Sequence, residues 1–285
     1  MKTLIIISIT ICSTILARSQ ENISYQIVEL SSRKPIPYVT IKVKHTNSGF
    51  HADENGFFGF SPLKKDTLLM TAVGHTSKEV CLFGQSNNHI YLQQETVNLK
   101  EITIKPLHSS IIGTVTQKNS YRLTASVNFE FAVLQKLPDG VAESFIEKIF
   151  IKAANLENQC PVKLHIYSSE NGKPSKELLN NNIFINEFIK AKKTVEMDMK
   201  GLNIAVTGSY FVGLEWVNSS KDCNGFNGSL VWATNEISES LTYKRTFLDP
   251  DYKWNKIDKN SIESTISNKT GNPFNLQVSS KIAYE

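Results

Sequence analysis

The stretch PYVTIKVKHTNSGFHADENGFFGF, residues 37–60, decides the fold of this chain. Its first half is apolar at every second position, at Val39, Ile41 and Val43. A period of two places these side chains on one face of a β-strand. Asn55-Gly56 then precedes FFGF, and an Asn-Gly pair between strand-like segments is a strong signal for a β-hairpin. The stretch therefore predicts short strands joined by tight turns, with a hairpin at Asn55-Gly56.

The same spacing continues along the chain. DTLLMTAV, residues 66–73, is apolar on both faces, as a central strand would be. Later strand-length segments rich in β-branched and aromatic residues lie at 127–133, 162–167, 194–199, 209–217, 229–234, 241–247 and 275–284. Short strands separated by turn residues favour antiparallel sandwiches over strand–helix alternation. We predict an all-β chain: a small β-sandwich over residues 20–105, then a linker and a larger jelly-roll-type sandwich over residues 106–285.

The first residues predict an export signal. MKTLIIISITICSTILARSQ has a lysine, an apolar run and small residues before a cut after Ser19. The run is shorter than the roughly 20 apolar residues that cross a bilayer. We therefore expect a cleaved signal peptide at 1–19, no transmembrane segment in the mature chain, and a location in the periplasm, at the outer membrane or outside the cell.

Charge and cysteine content limit the partners. The formal net charge is +4, and the predicted signal carries two of the positive charges. A nearly balanced mature chain gives no electrostatic basis for binding nucleic acid. Because an exported protein can form disulfides, we predict a Cys160–Cys223 bridge. Cys81, within the strand-like KEVCLF, is interpreted as a buried thiol.

Residues 24–80 resemble the carboxypeptidase-regulatory-like domain of exported Bacteroidetes proteins. The matching pieces are PIP at 35–37, the strand at 39–43, the turn at 53–58, DTL at 66–68 and VGH at 73–75. The resemblance implies a transthyretin-like sandwich of seven strands without catalytic residues of its own. The chain departs from the family at its start, where YQIVELSSRKP replaces the usual Gly-x-Val opening and Thr-Gly turn.

Two further segments resemble parts of exported proteins. LKEITIK, residues 99–105, is similar to the strand that leads to the plug of TonB-dependent receptors, although the remaining chain is too short for a receptor barrel. Residues 162–179 and 202–216 resemble sandwich domains that follow the regulatory module in uncharacterised exported proteins. This second resemblance implies a fold and no activity.

No motif predicts catalysis. His51 and Glu54 have the His-x-x-Glu spacing of a metallocarboxypeptidase zinc pair, with His165 as a conceivable third ligand. The pair overlaps the predicted turn, however, and that peptidase fold is α/β, so we interpret His45 and His51 as solvated strand-edge histidines. The sequence has no nucleophile elbow, phosphate loop or dinucleotide fingerprint. We expect no catalytic residue and no cofactor.

Aromatic residues are the best candidates for binding, because sugar rings pack on aromatic faces. Trp216 shares a strand face with apolar residues and is assigned to the core. Trp254 stands beside Tyr252 among charged residues, and Trp232 lies in a run that is apolar on both faces. We predict ligand binding by Tyr252, Trp254 and Trp232.

The turn DPDYKW, residues 249–254, also offers two carboxylates. Asp249 and Asp251 could hold a structural calcium ion, but acidic residues are common in ordinary turns of this kind. We favour the ordinary turn and expect no bound metal.

These observations predict an exported, non-catalytic cell-envelope protein. The N-terminal module would be a spacer or docking unit, and the C-terminal sandwich would bind a glycan or an envelope protein. Two alternatives stay open: an accessory of an outer-membrane TonB-dependent uptake or secretion system, and a hydrolase with unrecognised residues. The sequence leaves the oligomeric state open.

Overall fold

A computed structural model describes residues 22–63, 66–83, 87–95, 108–114, 121–124, 129–154, 161–185, 194–217, 230–234, 236–261 and 272–285. The predicted signal peptide, the LKEITIK segment, Cys160 and Cys223 lie outside these residues. Within these ranges no helix is both long and apolar enough to cross a membrane.

Seven strands form the N-terminal sandwich. They are β1 (Ile23–Glu29), β2 (Thr40–Val43), β3 (Ser48–His51), β4 (Phe57–Phe60), β5 (Leu68–Thr71), β6 (Lys78–Val80) and β7 (His89–Leu92). One sheet has the order β4-β1-β7 and the other has the order β3-β2-β5-β6. Their apolar faces enclose one core, which includes Ile27, Ile41 and Leu68. The seven-stranded sandwich is confirmed, and β5 is a central strand as predicted.

The predicted hairpin at Asn55-Gly56 is wrong. The turn forms, but β3 pairs with β2 while β4 pairs with β1, so the turn carries the chain from one sheet to the other. Asp53 Oδ1 accepts the N–H groups of Asn55 and Phe57 at 2.8 Å each. The carbonyl of Gly56 accepts the N–H of Ile27 at 2.9 Å. These bonds fix the turn against β1, and the hairpin lies instead between β2 and β3.

The C-terminal region contains the remaining strands of the described chain. They are β8 (His108–Gly113), β9 (Tyr121–Thr124), β10 (Phe129–Gln135), β11 (Glu143–Ala154), β12 (Val162–Glu170), β13 (Lys173–Glu177), β14 (Ile183–Phe184), β15 (Thr194–Asp198), β16 (Ala205–Thr207), β17 (Tyr210–Trp216), β18 (Leu230–Thr234), β19 (Thr242–Thr246), β20 (Asn255–Lys256), β21 (Asn275–Leu276) and β22 (Val278–Tyr284). A short 3-10 helix spans Lys200–Leu202.

These strands form two antiparallel sheets. A seven-stranded sheet has the order β13-β12-β17-β10-β19-β20, with β14 beside β12. An eight-stranded sheet has the order β21-β18-β11-β22-β8, with β9, β15 and β16 beside it. The successive strands β10, β11 and β12 lie alternately in the two sheets, a connection typical of jelly-roll domains. The all-β fold and the larger antiparallel domain are confirmed.

The C-terminal core lies between these two sheets. It includes Val162, Leu164 and Ile166 of β12 and Trp216 of β17, which is only 1% exposed. Trp216 is therefore a core residue, as predicted. The interpretation of Cys81 as buried is wrong: Val80 and Leu82 point inward, and Cys81 faces outward between them.

The two sandwiches pack face to face and make four layers of sheet. The outer face of the β3-β2-β5-β6 sheet lies on the outer face of the seven-stranded sheet. Every residue of β2 and of β17 is buried, because both faces of these strands are covered. Phe247 packs directly over Gly49, where a side chain on β3 would meet the ring. The candidate site lies in this junction.

Candidate functional site

A row of four charged residues crosses the seven-stranded sheet where it faces the N-terminal domain. Lys163, Glu215, Glu130 and Arg245 stand opposite one another on β12, β17, β10 and β19. Lys163 Nζ lies 2.6 Å from Glu215 Oε2, and Arg245 Nε lies 2.6 Å from Glu130 Oε2. The lysine and both glutamate side chains are almost entirely buried. Buried charges of this kind need partners, and each acid here has a base on a neighbouring strand.

Glu215 connects the two domains. Its Oε1 accepts from Thr40 Oγ1 at 2.6 Å and from His51 Nε2 at 3.2 Å. Its Oε2 accepts from Lys163 at 2.6 Å and from His165 Nε2 at 3.2 Å. Burial alone would raise the pKa of Glu215, but Lys163 and the two histidines hold that pKa well below its usual range. The carboxylate is therefore ionised and accepts four hydrogen bonds, two from each domain.

His165 is held between two carboxylates. Its Nδ1 donates to Glu177 Oε2 at 2.6 Å and its Nε2 donates to Glu215. Burial lowers the pKa of His165, but the surrounding carboxylates and their hydrogen bonds outweigh burial and raise it to about 9. Both ring nitrogens are donors only in the imidazolium form. His165 is thus a fixed cation near neutral pH.

Glu177 accepts four hydrogen bonds as well. Its Oε1 accepts from the backbone N–H groups of Ile166, Leu178 and Leu179, each at 3.1 Å, while its Oε2 accepts from His165 Nδ1. The acid therefore ties the end of β13 to the neighbouring strand and fixes His165 in place.

A glycine makes room for the rings beside this row. The rings of His165 and Tyr167 are stacked, with centroids 5.4 Å apart and planes within 6° of each other. Gly213 on β17 stands opposite His165. A methyl group at Gly213 would lie 2.9 Å from His165 Cβ and 3.0 Å from Tyr167 Cε2. The glycine in YFVGLEW is thus needed for the close approach of both rings.

Arg245 ends the row among aromatic rings. Its guanidinium lies 4.6 Å from the ring centre of Trp254 and 4.8 Å from that of Tyr252, distances typical of cation–π contacts. It also donates to Tyr167 Oη at 3.2 Å. The other face of Tyr252 stacks on Phe247. Tyr252 and Trp254 are both half-buried, and Trp254 also packs edge-on against Tyr167, with ring centroids 5.8 Å apart.

A polar cleft of about 220 Å³ opens between the two domains beside this row. Its lining includes Thr71, His75 and Glu95 from the N-terminal domain, and Tyr167, Lys176 and Arg245 from the C-terminal domain. Lys176 Nζ and Glu95 Oε1 form an ion pair across the domain boundary at 2.8 Å. Arg245 lines the cleft and also contacts the ring of Trp254, which is not itself one of the lining residues.

The structure brings together two of the three predicted ligand-binding residues. The rings of Tyr252 and Trp254 both contact the guanidinium of Arg245. Trp232 lies on β18 in the eight-stranded sheet, with Lys152 Nζ 5.4 Å from its ring centre. The three residues therefore do not form one site.

The two turn carboxylates are engaged by their own turn. Asp249 accepts the N–H of Asp251 at 2.9 Å and the side-chain amide of Asn255 at 3.1 Å. Asp251 pairs with Lys253 at 2.7 Å. Within the described part of the chain, no three His, Cys, Asp or Glu residues are grouped so that they could hold a metal ion.

The interpretation of His51 as a solvated histidine is wrong. His51 is buried on Glu215, and Glu54 is exposed on the turn. His51 and His165 do meet, but at a carboxylate that a lysine ammonium also contacts at 2.6 Å. The sequence did not identify Lys163, Glu130, Glu215 or Arg245 as site residues. The available signal was one charged residue in a largely apolar strand, at Glu130 in FEFAVLQ and at Glu215 in YFVGLEW.

Comparisons with known proteins identify the first domain. Residues 23–104 match the family model of the CarboxypepD_reg-like domain, so the N-terminal sandwich is a carboxypeptidase-regulatory-like domain, as predicted. No curated protein matches the chain.

Three solved structures align with this chain at low scores. The cysteine protease and lectin-like domains of a surface-layer-associated protein of Clostridium difficile align over 88% of this chain at 9% identity, with a TM-score of 0.39, and the alignment covers 59% of that chain. A putative carbohydrate-binding protein from Bacteroides uniformis aligns over 74% of this chain and 94% of its own, at 12% identity and a TM-score of 0.20. The major pilin subunit of Bacillus cereus aligns over 83% of this chain and 67% of its own, at 9% identity and a TM-score of 0.18. At these scores the likenesses carry no argument about function.

Proposed function

We propose that this chain is an exported, non-catalytic cell-envelope protein that binds a glycan at the junction of its two domains. The observation that carries the proposal is the polar cleft between the domains; Arg245 in its wall also contacts the half-buried Trp254. Binding sites for small molecules are commonly concave, lie at domain interfaces and combine aromatic surface with a few placed polar groups. Export rests on the signal-like first residues of the chain.

The chemistry of the buried acids supports binding without catalysis. A general base must accept a proton from the substrate, and a nucleophile needs an available lone pair. Glu215 and Glu177 each accept four hydrogen bonds from the protein. Their role is to hold the walls of the cleft in one geometry.

The character of the lining favours a sugar. Sugar hydroxyls both donate and accept hydrogen bonds, and the C–H face of a sugar ring packs on an indole. The cleft offers a hydroxyl group at Thr71 and an imidazole at His75, and the Trp254 indole lies beside Arg245 in its wall. In this proposal the regulatory-like domain is a docking unit whose first partner is the second domain of its own chain.

A glycan screen on the purified mature chain, residues 20–285, tests the proposal. We expect binding to at least one plant, host or bacterial cell-wall glycan, and at least a tenfold loss of affinity in Trp254→Ala. Trp232→Ala is the matched control, because Trp232 lies on the other sheet, and it should bind like the wild type. Circular dichroism spectra would verify that both variants fold.

Each contrary result has a clear meaning. Failure to bind any glycan would overturn the proposal, and co-purification with an outer-membrane complex would then support the accessory alternative. Loss of binding in Trp232→Ala instead of Trp254→Ala would move the site to the eight-stranded sheet and contradict the proposed cleft. Hydrolysis of a bound glycan would contradict the non-catalytic part.

A further inference from the structure

We propose that the interdomain cleft selects neutral sugars over acidic ones, and that His75 Nε2 accepts a hydrogen bond from a sugar hydroxyl. This inference rests on the proposed glycan-binding function and specifies its ligand. Two observations carry it: the pairing of the charges around the cleft, and a buried acceptor in its wall.

The charges around the cleft are paired within the protein. The pairs are Lys176 with Glu95 at 2.8 Å, Lys163 with Glu215, His165 with Glu177, and Arg245 with Glu130, the last three at 2.6 Å. Each of these cations thus has its own carboxylate, and the four pairs present no excess of positive charge to a ligand. A uronic acid that drew Lys163, His165 or Arg245 away from its carboxylate would leave an acid that is mostly buried uncompensated; Lys176 and Glu95 are exposed, so that pair adds only its neutral balance. A neutral sugar needs no such rearrangement.

His75 supplies the second observation. Its Nδ1 lies 2.9 Å from the carbonyl oxygen of Val73, so Nδ1 carries a proton and donates it. In that neutral tautomer Nε2 is an acceptor. Nε2 is buried, and it has no hydrogen-bond partner among the residues that the structure describes. A buried acceptor without a donor is unfavourable, and a ligand hydroxyl would satisfy it.

The segment that carries His75 is firmly held. Gly74 has φ +74 and packs against the carbonyl of Asn180 in the C-terminal domain. The N–H of Glu95 donates to the carbonyl of Gly74, and the N–H of Thr76 donates to that of Gln93, each at 2.9 Å. His75 is therefore presented at a fixed position by contacts from both domains. The carboxylate of an acidic sugar, which can only accept, would repel this nitrogen.

Calorimetry on the mature chain separates this inference from the proposed function. The probes are four neutral tetrasaccharides (xylotetraose, cellotetraose, mannotetraose and chitotetraose) and two acidic ones (tetragalacturonate and tetraguluronate). We expect binding to a neutral probe, at least tenfold weaker binding of both acidic probes, and a loss of about tenfold in His75→Ala. His75→Gln keeps an acceptor and should retain part of the affinity. His89→Ala, at an exposed histidine on β7, is the control and should bind like the wild type.

Three results would contradict, respectively, the selectivity for neutral sugars, the role of His75 and the glycan-binding function itself. An acidic probe that binds as tightly as the neutral ones would overturn the selectivity and leave the glycan-binding proposal intact. Unchanged neutral-sugar binding in His75→Ala would overturn the role of His75. Circular dichroism spectra would verify that His75→Ala and His75→Gln are both folded. If no probe binds and a broad glycan screen also fails, the proposed function itself is wrong and this inference falls with it.

Discussion

At the scale of single residues, Glu215 shows how one buried carboxylate can join two domains. Removing a charge from water is costly, and the cost is recovered only when enough donors surround the charge. Glu215 meets this condition with a hydroxyl, an ammonium and two imidazoles. Two of these donors, Thr40 and His51, belong to the other domain. The carboxylate is therefore fully compensated only when the domains are docked.

Replacing this carboxylate should be severe. We expect Glu215→Gln to lower the free energy of unfolding by about 3–5 kcal/mol, because it leaves Lys163 and His165 buried without their shared anion. Urea denaturation of the full chain would measure the change. The control is Glu79→Gln, which breaks the exposed 2.7 Å pair with Lys44 and should cost less than about 1 kcal/mol. Similar losses in the two variants would contradict a special role for Glu215.

The sequence predicted the direction of these side chains but not what covers them. The alternation in VKLHIY correctly placed Lys163, His165 and Tyr167 on one face of a strand. A polar face that meets water and a polar face that meets a charged partner have the same pattern, so the pattern could not reveal the junction. The same limit explains the error at His51. Its partner Glu215 is 164 residues away in the chain.

At the scale of elements, the turn at residues 53–57 shows what local chemistry does and does not determine. Asp, Asn and Gly correctly predicted a chain reversal, since their side chains and backbone freedom favour turns. The strands that the turn joins depend on Ile27 and Ile36, which are distant in the sequence. The N–H of Ile27 donates to the carbonyl of Gly56, and the carbonyl oxygens of Ile27 and Ile36 occupy the space that a Cβ atom at Gly56 would need. Because of these contacts with residues distant in the sequence, the turn connects strands of two different sheets and does not form the predicted hairpin.

This turn should tolerate no side chain at its glycine. Gly56 has φ +74, and an added methyl group would lie 2.7 Å from the carbonyl oxygen of Ile27 and 2.9 Å from that of Ile36. We expect Gly56→Ala to lower the free energy of unfolding by about 2 kcal/mol or more. Gly59→Ala is the matched control on the next strand, where the nearest atom is 3.9 Å away. Chemical denaturation of both variants is the measurement, and equal stabilities would refute the packing argument.

At the scale of the whole molecule, four sheets stack into one body. Among the described residues each sandwich has its own apolar core, a smaller apolar cluster includes Ala132, Phe211 and Tyr243 of the seven-stranded sheet, and a charged junction joins the two sandwiches. The sequence predicted both sandwiches because each has its own alternating pattern. The sequence could not predict how the two sandwiches pack together. Apolar periodicity indicates which residues form the cores, whereas the junction contains paired charges that show no such period. Among the residues that the structure describes, Val73 is the one from the N-terminal domain that joins the buried C-terminal core, and an isolated contact of this kind leaves no periodic signal.

The junction makes stability depend on pH. The pKa of His165 is raised from an ordinary value near 6.5 to about 9. Its contribution to stability is therefore complete below pH 6.5 and is lost as the pH rises through 9, a total of about 3 kcal/mol. Free energies of unfolding at pH 6, 7.5 and 9.5 would measure the loss. His165→Gln should remove most of the slope, while His89→Gln should leave it unchanged, and a slope that survives in His165→Gln would argue against this assignment.

The burial of the charged row also decides how the protein responds to ionic strength. Dissolved salt weakens attraction between charges that water surrounds, over a Debye length of about 8 Å at physiological concentration. The pairs Lys44–Glu79 and Lys136–Glu239 are open to this screening, whereas Lys163–Glu215 is enclosed by two sheets. Dilute and saline surroundings should therefore leave the domains in the same relative position. The buried part of the junction should therefore keep the same geometry at low and at high ionic strength.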